Sequence, residues 1–307
     1  MARQATAFAV PAPAAAIPLP VRDGVGPSYA WLDATEPVPA MAWLGQRFPD
    51  VLEATWLDRM ARGEVVDAAG APLEPHTMLR RGMRIWYYRE LEAETPIPFE
   101  AHILHRDEHL LVVDKPHFLP TTPAGRFLHQ SLLVRLKNQL GEPQLTPIHR
   151  LDRETAGVVI FSLRQESRGA YASLFQQRRV EKVYEALAAP MARAFPFTHR
   201  SRMIEGTPFF RMMEVEGEPN SETLVDLIGM QGAHALYRLA PHTGRKHQLR
   251  VHMAALGAPI LNDAFYPQAL PCKGDDFANP LKLLARAISF DDPLSGVRRR
   301  FDSTRAL

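Results

Sequence analysis

Cysteine is nearly missing from this chain. Of 307 residues only Cys272 is one, which excludes an internal disulfide and any zinc site built on paired cysteines. So few thiols suit a reducing cytoplasm, the expected location. Long apolar runs are missing too: none approaches the roughly 20 residues of a membrane-spanning helix, so no membrane partner is expected. A surplus of one charge is also lacking, since 36 Lys and Arg against 34 Asp and Glu leave a net +2. Composition alone therefore announces no nucleic-acid binder, and no internal repeat suggests a solenoid. What is present is ordinary: 46% hydrophobic and 23% charged residues, in a length that can bury one substantial core beside a small second domain.

The cations are clustered even though the total is balanced. Arg178, Arg179 and Lys182 form one group, Arg245, Lys246 and Arg250 a second, and Arg298, Arg299 and Arg300 a third. Clustering matters more than the sum, because a phosphate backbone responds to the local field. For the third group, solvated charge on an exposed face is an equally good reading.

Along the chain, residues 1–35 read as a disordered or extended leader. Met1 to Pro20 is Ala- and Pro-rich, but Pro11, Pro13, Pro18 and Pro20 interrupt any signal-like helix, and Arg3 is the only cation ahead of it. Residues 36–92 read as a small α+β module. Its apolar positions from Met41 to Met60 recur at helical spacing, Gly63 ends the pattern, and extended pieces follow at 64–67 and 84–89. Pro96 and Pro98 mark a linker into a larger domain, residues 93–307. There the expected strands are 103–104, 110–113, 157–163, 183–188, 223–228 and 235–239. Helices are expected over Leu128–Leu140, after Ser162, and over His247–Leu256, with Ser162 and Gln165 forming a capping box. Strands and helices do not alternate regularly. The expected fold class is therefore α+β, a mixed, largely antiparallel sheet flanked by helices.

Three runs carry the chemistry. HRLDRETAG, His149 to Gly157, places Asp152 between cations at the mouth of a strand, where a carboxylate can stay ionised in a cleft. Alone, Asp152 reads at least as well as a turn residue paired with an arginine. EKVYEALA, Glu181 to Ala188, sets Tyr184 on a strand, as core or as an aromatic face for a flipped base. HTGRKHQLRVHMAALGAPILND, His242 to Asp263, brings backbone N–H groups and cations to the start of a helix, a phosphate-binding arrangement. His242, His247 and His252 are five apart, which is not the spacing of helix-borne zinc ligands, so no metal is expected.

In this order the runs closely resemble the RluA family of RNA pseudouridine synthases. That family carries HRLD-x-x-T-[SA]-G, then K-x-Y-x-A, then T-G-R-x-H-Q-[IL]-R-x-H-x-x-x-L-G-x-P-I. Here these are His149 to Gly157, Lys182 to Ala186, and Thr243 to Ile260, with Asp114-Lys115-Pro116 matching an upstream lysine–proline run. The resemblance covers roughly residues 100 to 295. More weakly, residues 36–92 resemble the small RNA-binding domain known from ribosomal small-subunit protein four.

The resemblance implies isomerisation of uridine to pseudouridine in structured RNA, 23S ribosomal RNA ahead of transfer RNA, with no cofactor and no obligate protein partner. It implies that Asp152 is the catalytic carboxylate, that Tyr184 packs on the target base, and that Arg250 pairs with Asp152 and keeps it charged. His149, Arg150, Arg245, His247 and Gln248 are the implied RNA-binding residues. Departures from the family pattern are Asp114 for asparagine, His117-Phe118-Leu119 for a glycine-containing turn, Ala156 for serine, Asn262 for glycine, and a lengthened segment from Arg200 to Thr223. They leave the substrate open. The competing readings are a non-catalytic RNA chaperone and a metal-dependent hydrolase built on the histidines and Asp152.

Overall fold

The computed structural model describes residues 17–91, 93–208, 210–270 and 277–307. Cys272 and the first sixteen residues of the expected leader lie outside these. The chain falls into two compact units, Met1–Glu90 and Leu91–Leu307.

The first unit contains β1 (Ser28–Trp31), β2 (Val38–Pro39), α1 (Ala40–Arg47), α2 (Glu53–Ala61), β3 (Val65–Val66), β4 (Met78–Leu79) and β5 (Arg84–Tyr87). β1, β5 and β3 form an antiparallel three-stranded sheet, and β2 pairs with β4. The helical stripe buries Trp43, Leu44, Trp56 and Met60 against Val65, Ile85 and Tyr87. Gly63, at φ +68°, closes α2 with its N–H on the Met60 carbonyl. The leader boundary expected at residue 35 is corrected here. Ser28–Trp31 is a full sheet strand, because its amides pair with β5 whatever the prolines before it suggest.

The second unit runs β6 (His102–Arg106), β7 (Leu110–Lys115), α3 (Leu132–Leu140), β8 (Thr146–Pro147), β9 (Ala156–Ser162), α4 (Gln165–Gln176), β10 (Glu181–Ala188), β11 (Phe197–Glu205), β12 (Met212–Val215), β13 (Ser221–Gln231), β14 (His234–Pro241), α5 (Gln248–Ala255), β15 (Leu283–Asp291) and β16 (Arg298–Asp302). Eleven strands make one sheet, in the order β12-β11-β13-β14-β10-β15-β9-β7-β6, with β16 on β15 and β8 on β9. Among the described residues only β15 and β9 pair in parallel. The fold is α+β, as the irregular alternation of elements implies.

The middle of this sheet is covered on both faces. From β7, Leu111 and Val113 pack with Leu132 and Leu136 of α3, while Leu110 and Val112 pack with Tyr171 and Leu174 of α4. Two-sided burial explains why β7 and β9 read as unbroken apolar runs rather than alternating ones. On β10 and β14, Ala186, Tyr237 and Leu239 pack against Leu249 and Met253 of α5. The parallel contact is close: a Cβ on Gly157 would lie 2.2 Å from the Ala285 carbonyl oxygen, and φ there is +115°. Glycine is required at the point where the Asp152 loop enters β9.

The capping box is overturned. α4 is capped by Arg164 without a side-chain bond, and buried Ser162 ends β9 with its Oγ donating to the Arg164 carbonyl at 2.7 Å. β11, β12, β15 and β16 were not expected. β11 and β12 lie at the sheet's edge and mix charge into their alternation, and Arg286 interrupts the apolar run of β15. The third basic cluster sits on β16, where Arg298 pairs with Glu181, Arg299 with Asp107 and Asp292, and Arg300 with Asp302.

Candidate active site

Asp152 sits on the loop between β8 and β9, and a second loop after β7 holds it from behind. Thr121 Oγ1 donates to the Leu151 carbonyl at 2.9 Å and accepts the Leu151 N–H at 3.1 Å. Lys115 is wholly buried, and its Nζ donates to the carbonyls of Leu119 (2.7 Å), Pro116 (3.0 Å) and Arg153 (3.1 Å). His117 Nδ1 meets the Glu154 carbonyl at 2.7 Å. The backbone is thus fixed on both sides of Asp152, leaving its side chain 27% exposed. Burial drags the Lys115 ammonium down to about 7, against the opposing pull of Glu154 and Asp152. Phe118 takes φ +66° at the turn where the family carries glycine, its ring held by stacking on Phe99 at 5.9 Å.

α5 supplies the facing wall. His247 precedes it at φ +56°, which turns the ring back towards Asp152: Nε2 lies 3.8 Å from Asp152 Oδ2, and Nδ1 meets the Tyr266 hydroxyl at 2.9 Å. Burial lowers the His247 pKa to about 4, so the imidazole is neutral at pH 7. Arg250 is 1% exposed and grips Asp263 with two bonds, Nε to Oδ2 at 2.8 Å and Nη2 to Oδ1 at 2.6 Å. Its remaining Nη1 lies 3.6 Å from Asp152 Oδ2, too far for a hydrogen bond but close enough for strong attraction in a buried site. Burial alone would weaken the guanidinium's hold on its proton. The bonds and charge of Asp263, with the charge of Asp152, reverse that and raise its pKa. Asp263 also accepts the N–H groups of Phe265 and Tyr266, whose rings lie 4.8 and 5.4 Å from the guanidinium. Asn262 holds φ +64° just before it, which explains why asparagine can stand where the family has glycine.

Between these walls lies a cleft of about 580 Å³ whose lining includes Asp152, Tyr184, His247, Arg250 and Phe265. Tyr184 packs against the cores on both sides of it, so its ring is firmly placed. Burial, then the Asp152 charge, raises its pKa and keeps the hydroxyl protonated. Lys182 Nζ, two residues away, donates to the Thr243 carbonyl at 2.9 Å, and burial lowers its pKa to about 8. Arg150 and Arg245 line both this cleft and an adjoining hollow of about 480 Å³ that Arg178 also borders. Cations therefore rim the approach, while the Asp152 carboxylate faces a paired arginine inside.

The structure brings Asp152, Tyr184, Arg250, His247, Arg150 and Arg245 to one cleft. It does not present His149 there. His149 stacks on Phe175 at 4.8 Å, and its Nε2 accepts the Ile160 N–H at 3.1 Å, so it braces β9. Gln248 reaches the cleft wall with its amide already committed. Oε1 accepts from Thr243 Oγ1 and the Arg245 N–H, and Nε2 donates to the Glu222 carbonyl and Thr223 Oγ1. Both side chains are thus held by protein contacts, while His149 also borders the adjoining hollow and Gln248 the cleft. Sequence reasoning missed Asp263, Thr121 and Tyr266 as site-building residues. Asp263 closes the third run, and that position was its only signal.

Among the described residues one group could hold a metal ion: His199, Glu214 and His252, with ligand atoms within 4.8 Å of one another. Strands β11 and β12 create it, which the histidine spacing could not reveal. Its atoms are already bonded to one another and to hydroxyls, His252 Nε2 to Ser221 Oγ at 3.0 Å and Ser201 Oγ at 3.2 Å, and His199 Nε2 to Glu214 at 2.9 Å. Asp152 is not part of this group.

Residues 109–255 match the family model described as RNA pseudouridylate synthase. The dual-specificity RNA pseudouridine synthase RluA of Vibrio vulnificus is 35% identical over 67% of this chain and 83% of its own length. The ribosomal large subunit pseudouridine synthase D of Pseudomonas aeruginosa is 27% identical over 76% and 78%. Among solved structures, the human RNA pseudouridylate synthase domain containing 4 is 27% identical, with a TM-score of 0.52 over 66% of this chain and 87% of its own.

Proposed function

Because the chain belongs to the RluA family of RNA pseudouridine synthases, we propose that it isomerises uridines of ribosomal or transfer RNA with Asp152 as the reacting carboxylate and no cofactor. Large-subunit ribosomal RNA is the first candidate substrate and transfer RNA the second, with the cytoplasm as the proposed location. The observation that carries the reading is the Asp152–Arg250–Asp263 array in a cation-rimmed cleft.

The reaction breaks the bond between the uracil nitrogen and the ribose, turns the base, and joins the ribose to ring carbon five. A proton leaves that carbon and one is gained at the freed nitrogen. Nothing is oxidised or reduced, so acid–base and electrostatic groups suffice. Asp152 either bonds covalently to the substrate or stabilises the cationic sugar, as carboxylates do in glycoside cleavage. Arg250, with two of its donors tied to Asp263, offers Asp152 a fixed positive charge. Tyr184 supplies a ring for the flipped base and a hydroxyl that remains a donor. Base extrusion costs a few kcal/mol, offset by Arg150 and Arg245 on the neighbouring phosphates. The first unit is an accessory RNA-binding module in this reading.

The test uses ribosomal and transfer RNA tritiated at uracil carbon five, with a chelator present. Tritium release is expected from the wild type and is expected to fall at least about 10³-fold in Asp152→Ala. Release that persists in that variant, or that the chelator abolishes, defeats the proposal.

A further inference from the structure

The three-stranded sheet of the first unit buries one face against α1 and α2 and leaves part of the other open. Ile85 and Tyr87 of β5 point into the core, so Arg84 and Trp86 point away from it. The register sets Tyr29 opposite Trp86 and Trp31 opposite Arg84. Four side chains therefore share one face as two cross-strand pairs. Tyr29 and Trp31 are each 52% exposed. The Arg84 guanidinium lies 4.2 Å from the Trp31 ring centroid, 5.0 Å from Tyr29 and 5.6 Å from Trp86. Its Nε is buried yet meets no acceptor among the described residues. Beside it runs a groove of about 340 Å³, bordered by Trp31, Asp67, Ala69, Gly82 and Arg84 among others.

The core does not need these rings, and half-exposed tyrosine and tryptophan gain little by burial where they stand. A buried N–H without an acceptor normally costs stability, so its presence here points to a partner that brings one. Cations stand beside the groove. Arg80 and Arg81 are exposed on the turn leading into β5. The carboxylate on the groove, Asp67, is turned inward, its Oδ1 accepting the Ala69 and Ala71 N–H groups at 2.8 and 2.9 Å. Flat aromatic faces beside cations match unpaired nucleotides, whose bases stack while their phosphates accept hydrogen bonds.

We propose that Tyr29, Trp31 and Arg84 form a stacking platform for unpaired bases of the RNA substrate, with Arg84, Arg80 and Arg81 on the adjoining phosphates. This rests on the reading that the substrate is RNA. The occupant is a single-stranded segment, because a duplex hides the faces that stack.

The full chain is titrated with a short labelled oligouridine, followed by fluorescence anisotropy, and tritium release is measured in parallel. Trp31→Ala is expected to weaken oligouridine binding roughly 5- to 100-fold, the range that one lost stacked base implies. Trp31→Phe should keep most of the affinity, which separates stacking from misfolding. Arg84→Gln should weaken binding and flatten its salt dependence. Added to the Asp152→Ala variant, in which tritium release is already lost at least about 10³-fold, Trp31→Ala should still weaken oligouridine binding by the same factor, so the platform and the proposed chemistry fail separately. Equal affinity in wild type, Trp31→Ala and Arg84→Gln would overturn the platform. So would displacement of the oligouridine by a proline-rich peptide but not by unlabelled RNA, which would mark a protein-docking groove.

Discussion

The cleft of the second unit and the aromatic face of the first each hold an arginine beside aromatic rings, and they do so in opposite ways. Arg250 is buried, held by two bonds to Asp263 and flanked by the rings of Phe265 and Tyr266. What it offers is a charge fixed in position. Arg84 is steadied by rings alone and retains an N–H with no acceptor. The difference separates two tasks. Preorganised charge suits a transition state, where movement of the donor would cost rate. A platform with donors to spare suits a substrate whose sequence and backbone path vary.

That contrast breaks most sharply at Asp263. Asp263→Asn removes the anchoring charge and leaves a buried guanidinium paired only with Asp152, which should cost about 3–5 kcal/mol of stability. It should also lower tritium release by at least about 100-fold, mainly in kcat, because Arg250 then loses the fixed position from which it faces Asp152. Urea unfolding and single-turnover release measure the two effects. A stable, fully active Asp263→Asn enzyme would show that the position of Arg250 is immaterial. Trp31→Ala, by contrast, should leave the unfolding midpoint almost unchanged.

The same contrast explains what could be read in the sequence. Asp152, Tyr184 and Arg250 stand in contiguous runs, because each run is one strand mouth or one helix start with all its chemistry at that end. The cover on both faces of β7 and β9 was legible as continuous apolar stretches. The aromatic face was not, because Tyr29, Trp31, Arg84 and Trp86 come from two short strands far apart in the chain. β1 itself lay hidden in what read as leader. The protein bonds of His149 and Gln248 were hidden for a related reason. A polar residue inside a motif looks the same in sequence whether it faces the ligand or the neighbouring backbone. Asp263 was missed because its partner, Arg250, seemed already assigned to Asp152.

His252 sharpens the comparison from the far side of α5. It is fully buried, and its pKa is pushed down to about 3 by burial and by the proximity of His199. In the unfolded chain it titrates near 6.5. Between pH 6.5 and about 3 the unfolded state therefore binds a proton that the folded state refuses, and stability falls as pH falls through that window. The slope should approach about 1.4 kcal/mol per pH unit for this one group. His247, lowered to about 4, adds to it in the upper part of the window. His252→Gln should unfold with a visibly shallower pH dependence between pH 6.5 and 4, measured by urea midpoints. An unchanged slope would mean that His252 does not stay neutral in the fold.

The smallest effect distinguishes the basic clusters from one another. Arg245 borders both hollows of the cleft, and its Nε has only a long 3.3 Å contact with the Asn220 carbonyl, so its charge remains available. Arg300 lies on strand β16, where its Nε and Nη2 both donate to Asp302. Such a surface pair is worth about 0–1 kcal/mol, and its charge is already answered. Arg245→Ala should weaken RNA binding and reduce the slope of log K against log salt by about 0.7–1, the release of one phosphate's counterion. Arg300→Ala should leave that slope unchanged and shift stability by well under 1 kcal/mol. Equal slope changes in the two variants would make charge count, rather than charge left unpaired at the cleft, the determinant of RNA affinity. The balanced net charge of +2 argues against that outcome, because a protein with so little surplus charge must bind phosphate through the cations its own carboxylates leave free.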